Sequence, residues 1–266
     1  MARLEWDSIG NRYFRAGLDR GVLYPKNERG VPWNGLISVD ESPSGGAPTP
    51  LYMDGVKYFN EADLEEFYAS ISAYTYPEEF ENLDGSGGSD SGLSYGQQPR
   101  RPFDLTYRTL VGNDTDNVDY GYKIHLIFNA LASPTSISNQ SLSGDTDAVA
   151  FSWDITTTPV AVSGKLPTAH LTIDSRKSDL ETLQTLEDIL YGSSETAPRF
   201  PSMSEVIDLF DDWPYLQVNL NYATGLYRLT FGGAKDLKGN TSKGIYTIPN
   251  MSRLEERDVA GIYRMG

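Results

Sequence analysis

Residues 68–76, YASISAYTY, constrain the fold more than any other stretch of this chain. Tyr68, Ser70, Ser72, Tyr74 and Tyr76 fall on one side of an extended backbone, and Ala69, Ile71, Ala73 and Thr75 fall on the other. Side chains alternate across a strand with a period of two, so the segment reads as a strand with one apolar face. Residues 105–111 (LTYRTLV) and 122–129 (YKIHLIFN) are strands of the same kind. The chain therefore builds a sheet from segments distant in sequence. These strands carry neither a nucleophile nor a recognisable metal cluster, which points to a structural or binding role.

The rest of the chain fits a mainly β protein of the α+β class. Residues 42–50, SPSGGAPTP, are too rich in Pro and Gly for regular structure and read as a loop. In residues 52–59, YMDGVKYF, Asp54-Gly55 between short apolar runs predicts a tight hairpin. Asn60 is placed to cap a short helix over 61–66. Residues 83–92, LDGSGGSDSG, read as a flexible linker. Further strands are expected at 148–155 and 169–174, with another around 160–162. The clearest helix covers 178–191. Ser178 and Glu181 suggest a capping box, Leu180, Leu183, Leu186, Ile189 and Leu190 recur at helical spacing, and Gly192 marks the stop. A shorter helix is expected over 202–210, and a hairpin from 216–222 with 226–231.

Composition narrows the function. An aromatic fraction of 12%, with 17 Tyr, belongs to a folded chain rather than a disordered one. There is no cysteine, so disulfides and thiolate chemistry are excluded. No apolar run is long enough to span a bilayer as a helix, and the N-terminus lacks a signal-peptide pattern. The formal charge of −15 argues against a nucleic-acid reader, which needs Lys and Arg to displace phosphate counterions. No phosphate-binding glycine loop and no GxSxG elbow is present. His125 and His170 each lie inside a strand pattern and read as polar residues of a sheet face, since no nearby Glu/His spacing completes a site. Asp114, Asp116 and Asp119 crowd one turn, but Val118 and Asp119 occupy the fifth and sixth positions, so a calcium loop fails and a solvated acidic turn is expected. The sequence predicts no enzyme, no metal and no cofactor.

One further pattern runs through the chain. GVPWNGL at 30–36, YMDGVKY at 52–58 and EEFYASISAYTYPEEF at 65–80 are followed by YRTLVGND at 107–114 and YKIHLIFNA at 122–130. FSWDITTTPV at 151–160, PTAHLTIDS at 167–175, LEDILYG at 186–192 and SEVIDLF at 204–210 complete the series. In this order the pieces resemble the major tail tube protein of long-tailed, siphovirus-type bacteriophages. The resemblance covers about residues 30–210. On this basis residues 1–29 are an N-terminal arm or first strand, 30–210 the tail-tube-like core, and 211–266 a C-terminal extension holding a hairpin and an arm.

The resemblance implies a β-sandwich or half-barrel with a flanking helix. It also implies hexameric rings in which inner strands join into one shared barrel, stacked into the conduit for DNA ejection. The implied partners are further copies of the chain, tail-tip, tape-measure and tail-terminator proteins, and DNA that passes without specific binding. The implied location is the tail of a virion assembled in the host bacterial cytoplasm, with no membrane insertion. Ser42, Pro43, Gly45, Gly46, Pro48 and Pro50 are the candidate inter-ring contacts, and the lumen-lining residues stay unassigned. Two other readings are a virion β-sandwich module recognising host-surface carbohydrate, for which 17 Tyr and 4 Trp would supply stacking rings, and a secreted β-rich hydrolase. The missing signal peptide and catalytic set disfavour the hydrolase.

Overall fold

The computed structural model describes residues 4–45, 49–61, 65–87, 92–139 and 148–211, and six further strand segments between 215 and 265 as backbone. The chain divides into two compact units, Met1–Val206 and Ile207–Gly266. The class is mainly β, with antiparallel sheets and a few helices.

In the first unit, strands β1 (Phe14–Pro25), β2 (Val31–Pro32) and β3 (Leu36–Glu41) precede a hairpin of β4 (Thr49–Met53) and β5 (Val56–Glu61). Then come β6 (Tyr68–Ala73), helix α1 (Glu78–Asp84), β7 (Phe103–Asn113), β8 (Asn117–Pro134), β9 (Phe151–Thr157) and β10 (His170–Asp174). Helices α2 (Leu180–Tyr191) and α3 (Met203–Asp211) follow. The main sheet runs β2-β1-β7-β8-β9-β6-β3, with β10 also paired to β8. Strand β8 is the hub. Up to Ile127 it pairs with both β7 and β10, and from Ala130 it pairs with β9. The switch falls at Asn129, whose φ of 49° breaks the ladder. Its amide donates to Asp104, and Asp104 is clamped in turn by Lys26 at 2.6 Å.

The sheet curls. Although β7 and β3 are separated by β8, β9 and β6 in the strand order, the Tyr107 hydroxyl on β7 donates to Glu41 at the end of β3 at 2.5 Å. A Cβ on Gly21 of β1 would lie 2.6 Å from Cδ2 of Leu36 on β3, so the two strands pass close together there. The concave face holds the core: Leu23, Ile71, Phe103, Leu105, Ile127, Trp153 and Ile155 are buried there. Helix α1 plugs it with Phe80, whose ring meets Trp33, Phe103 and Trp153 at 4.7, 5.4 and 5.1 Å. The alternation read at 68–76 holds in β6, where Ala69, Ile71 and Ala73 are buried. Beyond Ala73 the Tyr74 amide still donates to the Gly35 carbonyl, one further rung of the pairing with β3.

The opposite face of β1, β7 and β8 is bonded to α2. Tyr24 donates to the Leu190 carbonyl at 2.7 Å, and Tyr122 donates to Glu187 at 2.6 Å. Leu183, Leu186 and Leu190 are the buried stripe of α2, each contributing about 1.5–3 kcal/mol by burial.

Several sequence expectations are corrected. Of the helix expected over 61–66, residues 62–64 fall outside the described residues, and its two ends are not helical. Glu61 belongs to β5, where Asn60 pairs with Pro50, and Glu66 forms a bridge with Ser44. Pro50 is thus part of a strand, tolerated because the ribbon is only two strands wide. Around 160–162 there is only a single bridge, between Val160 and Thr168. The linker reading at 83–92 missed α1, which claims Leu83 and Asp84 and ends at Gly85 with φ 91°. The α2 cap is Asp179, accepting from the amides of Glu181 and Thr182. Ser178 instead bonds back to the Asp174 carbonyl.

In the second unit, β11 (Tyr215–Asn221) and β12 (Leu226–Gly232) form the expected antiparallel hairpin. Short pairs follow, β13 (Lys238–Asn240) with β14 (Ile245–Thr247) and β15 (Leu254–Arg257) with β16 (Ile262–Met265).

Candidate functional site

Two features of the first unit have no role in the core. The first is the β4–β5 hairpin. Asp54 and Gly55 both take positive φ, 50° and 77°, as a two-residue hairpin turn of this hand requires. Every side chain described in it is exposed. Tyr52 and Met53 are each 63% exposed, Val56 70% and Tyr58 69%, with Leu51 and Phe59 beside them. Among the described residues its strands pair only with each other. An isolated two-stranded ribbon is marginal in water, and these apolar side chains gain nothing from the subunit that carries them.

The sheet margins belong with it. Strand β3 ends the strand order and has one unpaired edge among the described residues. Strand β2 covers only Val22 and Leu23 of β1, leaving the outer edge along Phe14–Asp19 without a strand partner among the described residues. Open edges of this kind are templates for pairing with another chain.

The predicted contact loop leads into the hairpin. The Ser42 amide donates to the Tyr68 carbonyl, and Ser44 exchanges hydrogen bonds with Glu66. Pro43 and Gly45 are exposed. Pro50 lies in β4, and Gly46 and Pro48 fall outside the described residues.

The acidic turn has a structural use. Asp114 accepts from the Gly10 amide at 2.9 Å and lies 3.7 Å from Arg12, so it fastens the segment before β1. Asp116 is held by Asn113.

The second feature is a cluster that local spacing did not reveal. His125 on β8 and His170 on β10 meet, with Nδ1 of the first 3.2 Å from Nε2 of the second. Glu41, the last residue of β3, reaches across the curled sheet to place Oε1 2.9 Å from the same Nδ1. The remaining nitrogen of His125, Nε2, lies 3.0 Å from the Thr109 hydroxyl. Tyr107 stacks on His125 at 4.6 Å and donates to Glu41 at 2.5 Å. Phe67 covers His170 at 4.5 Å.

His125 is buried, His170 half-buried, and Glu41 opens to solvent. The hydrogen bond from His125, aided by that from Tyr107, holds the Glu41 carboxyl down at about 2. Burial pushes His170 down to about 4, outweighing the attraction of Glu41. The sequence signal was His125 itself, set between Ile124 and Leu126 in a strand buried on both faces. A polar ring there needs a partner.

No family model matches the chain, and no curated protein matches it. Among solved structures it is similar to a chain of the extended sheath–tube complex of the extracellular contractile injection system PVC, at 14% identity and TM-score 0.30. That match covers 58% of this chain and 88% of the other. It is also similar to a chain of the six-fold symmetrised anti-feeding prophage baseplate, at 6% identity and TM-score 0.30, over 64% and 97% of the two chains. Likenesses this distant do not bear on what the chain does. Among the described residues, no helix is long and apolar enough to cross a membrane.

Proposed function

We propose that this chain is a structural subunit of a phage-type tail tube, self-assembling into stacked hexameric rings that form a conduit for DNA. The observation that carries the reading is the β4–β5 hairpin: a ribbon exposing Tyr52, Met53, Val56, Tyr58 and Phe59 that is stabilised only when a neighbour covers it. The ordered sequence resemblance supplies the neighbour, a further copy in the adjacent ring. Ser42, Pro43, Gly45, Gly46, Pro48 and Pro50 belong to the same contact. The open edges of β1 and β3 suit lateral pairing within a ring, which removes edges by joining sheets. A head-to-tail contact that does not close on itself propagates as a filament. The role is non-enzymatic. The partners are further copies, the tail-tip, tape-measure and tail-terminator proteins, and passing DNA. The place is the virion tail, assembled in the host cytoplasm.

Electron microscopy and sedimentation of the concentrated protein, with and without a tail initiator, test the reading. Rings or tubes are expected from the wild type. The double substitution Tyr52→Ser, Tyr58→Ser is expected to leave a folded subunit that does not stack. A persistent monomer at millimolar concentration with an initiator present would overturn it, and glycan affinity in that monomer would favour the carbohydrate-binding module.

A further inference from the structure

We propose that Glu41, His125 and His170 form a site for one divalent transition-metal ion of the zinc type, which ties the sheet-end strand β3 to β8 and β10. The inference stands independently of the tube reading.

The contact between the two histidines and Glu41 shares one ring nitrogen. Nδ1 of His125 faces both Oε1 of Glu41, at 2.9 Å, and Nε2 of His170, at 3.2 Å. If that nitrogen carries the proton, a single N–H is split between two acceptors. If His170 carries it instead, a bare Nδ1 lone pair faces a carboxylate oxygen. Tyr107 also donates to Glu41 Oε1 and the Thr172 hydroxyl lies 3.4 Å from His170 Nε2, so the three ligand atoms converge on one point with the His125 proton shared between two of them. A cation satisfies all three at once.

The dimensions and chemistry agree. Zinc takes His nitrogen and carboxylate oxygen at about 2.0–2.2 Å, so ligand atoms at the corners of a tetrahedron lie about 3.3–3.5 Å apart. The three ligand atoms here all lie within 4.8 Å of one another, and two of their separations are 2.9 and 3.2 Å. Small side-chain shifts would bring them to that spacing.

Binding needs no net loss of a proton from the His125 ring. Its hydrogen moves to Nε2, where the Thr109 hydroxyl at 3.0 Å accepts it, and Nδ1 is freed for the metal. A ligating histidine ordinarily has such a partner on its other nitrogen. Tyr107 plays the corresponding part for the carboxylate, donating to Glu41 at 2.5 Å. Thr172, 3.4 Å from His170 Nε2, is the other polar neighbour. The protein supplies three ligands, and the fourth position is left to water on the side where Glu41 meets solvent.

The test uses the full chain stripped with a chelator and then dialysed against zinc. One ion per chain is expected to be retained. Thermal unfolding is expected to shift upward with zinc, and X-ray absorption should show two imidazoles and oxygen around the ion. Glu41→Gln, at the exposed margin, and His170→Gln are each expected to weaken binding by about tenfold or more and to abolish the thermal shift. Wild-type protein that retains no zinc would overturn the proposal. So would variants that retain one equivalent as tightly as the wild type, or an absorption spectrum with oxygen ligands alone, since either places the ion on the acidic surface.

Discussion

His170 is where burial and charge compete most directly. Its folded pKa of about 4 lies below the usual 6.5, because burial disfavours the imidazolium more than Glu41 attracts it. A group with a depressed folded pKa contributes its full stability above its unfolded pKa and loses it as pH falls toward the folded one. The metal-free protein should therefore lose on the order of 2 kcal/mol between pH 6.5 and about 4. Glu41, held at about 2, extends the loss below its ordinary 4.5. Urea midpoints measured across this range should fall less steeply for His170→Gln than for the wild type. Asp84 is important for a different reason, as a buried hydrogen-bond acceptor. It is buried at the end of α1, accepts from Trp153 Nε1 at 3.0 Å and from the Ser86 amide at 2.8 Å. Asp84→Ala strands the indole N–H inside the core, and a cost of about 2–4 kcal/mol is expected in denaturant unfolding followed by tryptophan fluorescence.

At the scale of elements, α2 begins at Asp179, and Asp179→Ala should cost about 1 kcal/mol in thermal stability while Ser178→Ala costs less. The sequence offered two adjacent capping residues. The choice between them was made by a contact outside the helix, the bond from Ser178 to Asp174. The same contrast runs through the fold. Strand β6 was legible because one-face burial imprints a period of two, and the β4–β5 turn because Asp54-Gly55 suits positive φ. Helix α1 was not legible, since it is too short to show a helical period and runs into a glycine-rich stretch. Asn60, expected as a helix cap, instead pairs across the ribbon with Pro50. The histidine cluster escaped because its members sit on β3, β8 and β10: the pairing of β10 with β8 brings the two histidines together, and the curl of the sheet adds Glu41.

For the molecule as a whole, the formal charge of −15 bears on cargo. A conduit must not hold what passes through it, and a basic bore would bind duplex DNA by counterion release. Assembled tubes are expected not to co-sediment with duplex DNA at physiological salt. Retention that weakens steeply as salt rises would show a basic lumen and contradict this expectation. The hub position of β8 has a consequence in time. During synthesis β8 leaves the ribosome before β9 and β10 exist, so its second edge waits until Asp174 has been translated. The chain spends that interval with a central strand half paired and the aromatic β4–β5 ribbon already made. Topologies dominated by such distant pairings fold slowly. Until β10 docks, a nascent subunit thus carries an unpaired central edge and an exposed apolar ribbon, the features that favour association between unfinished chains.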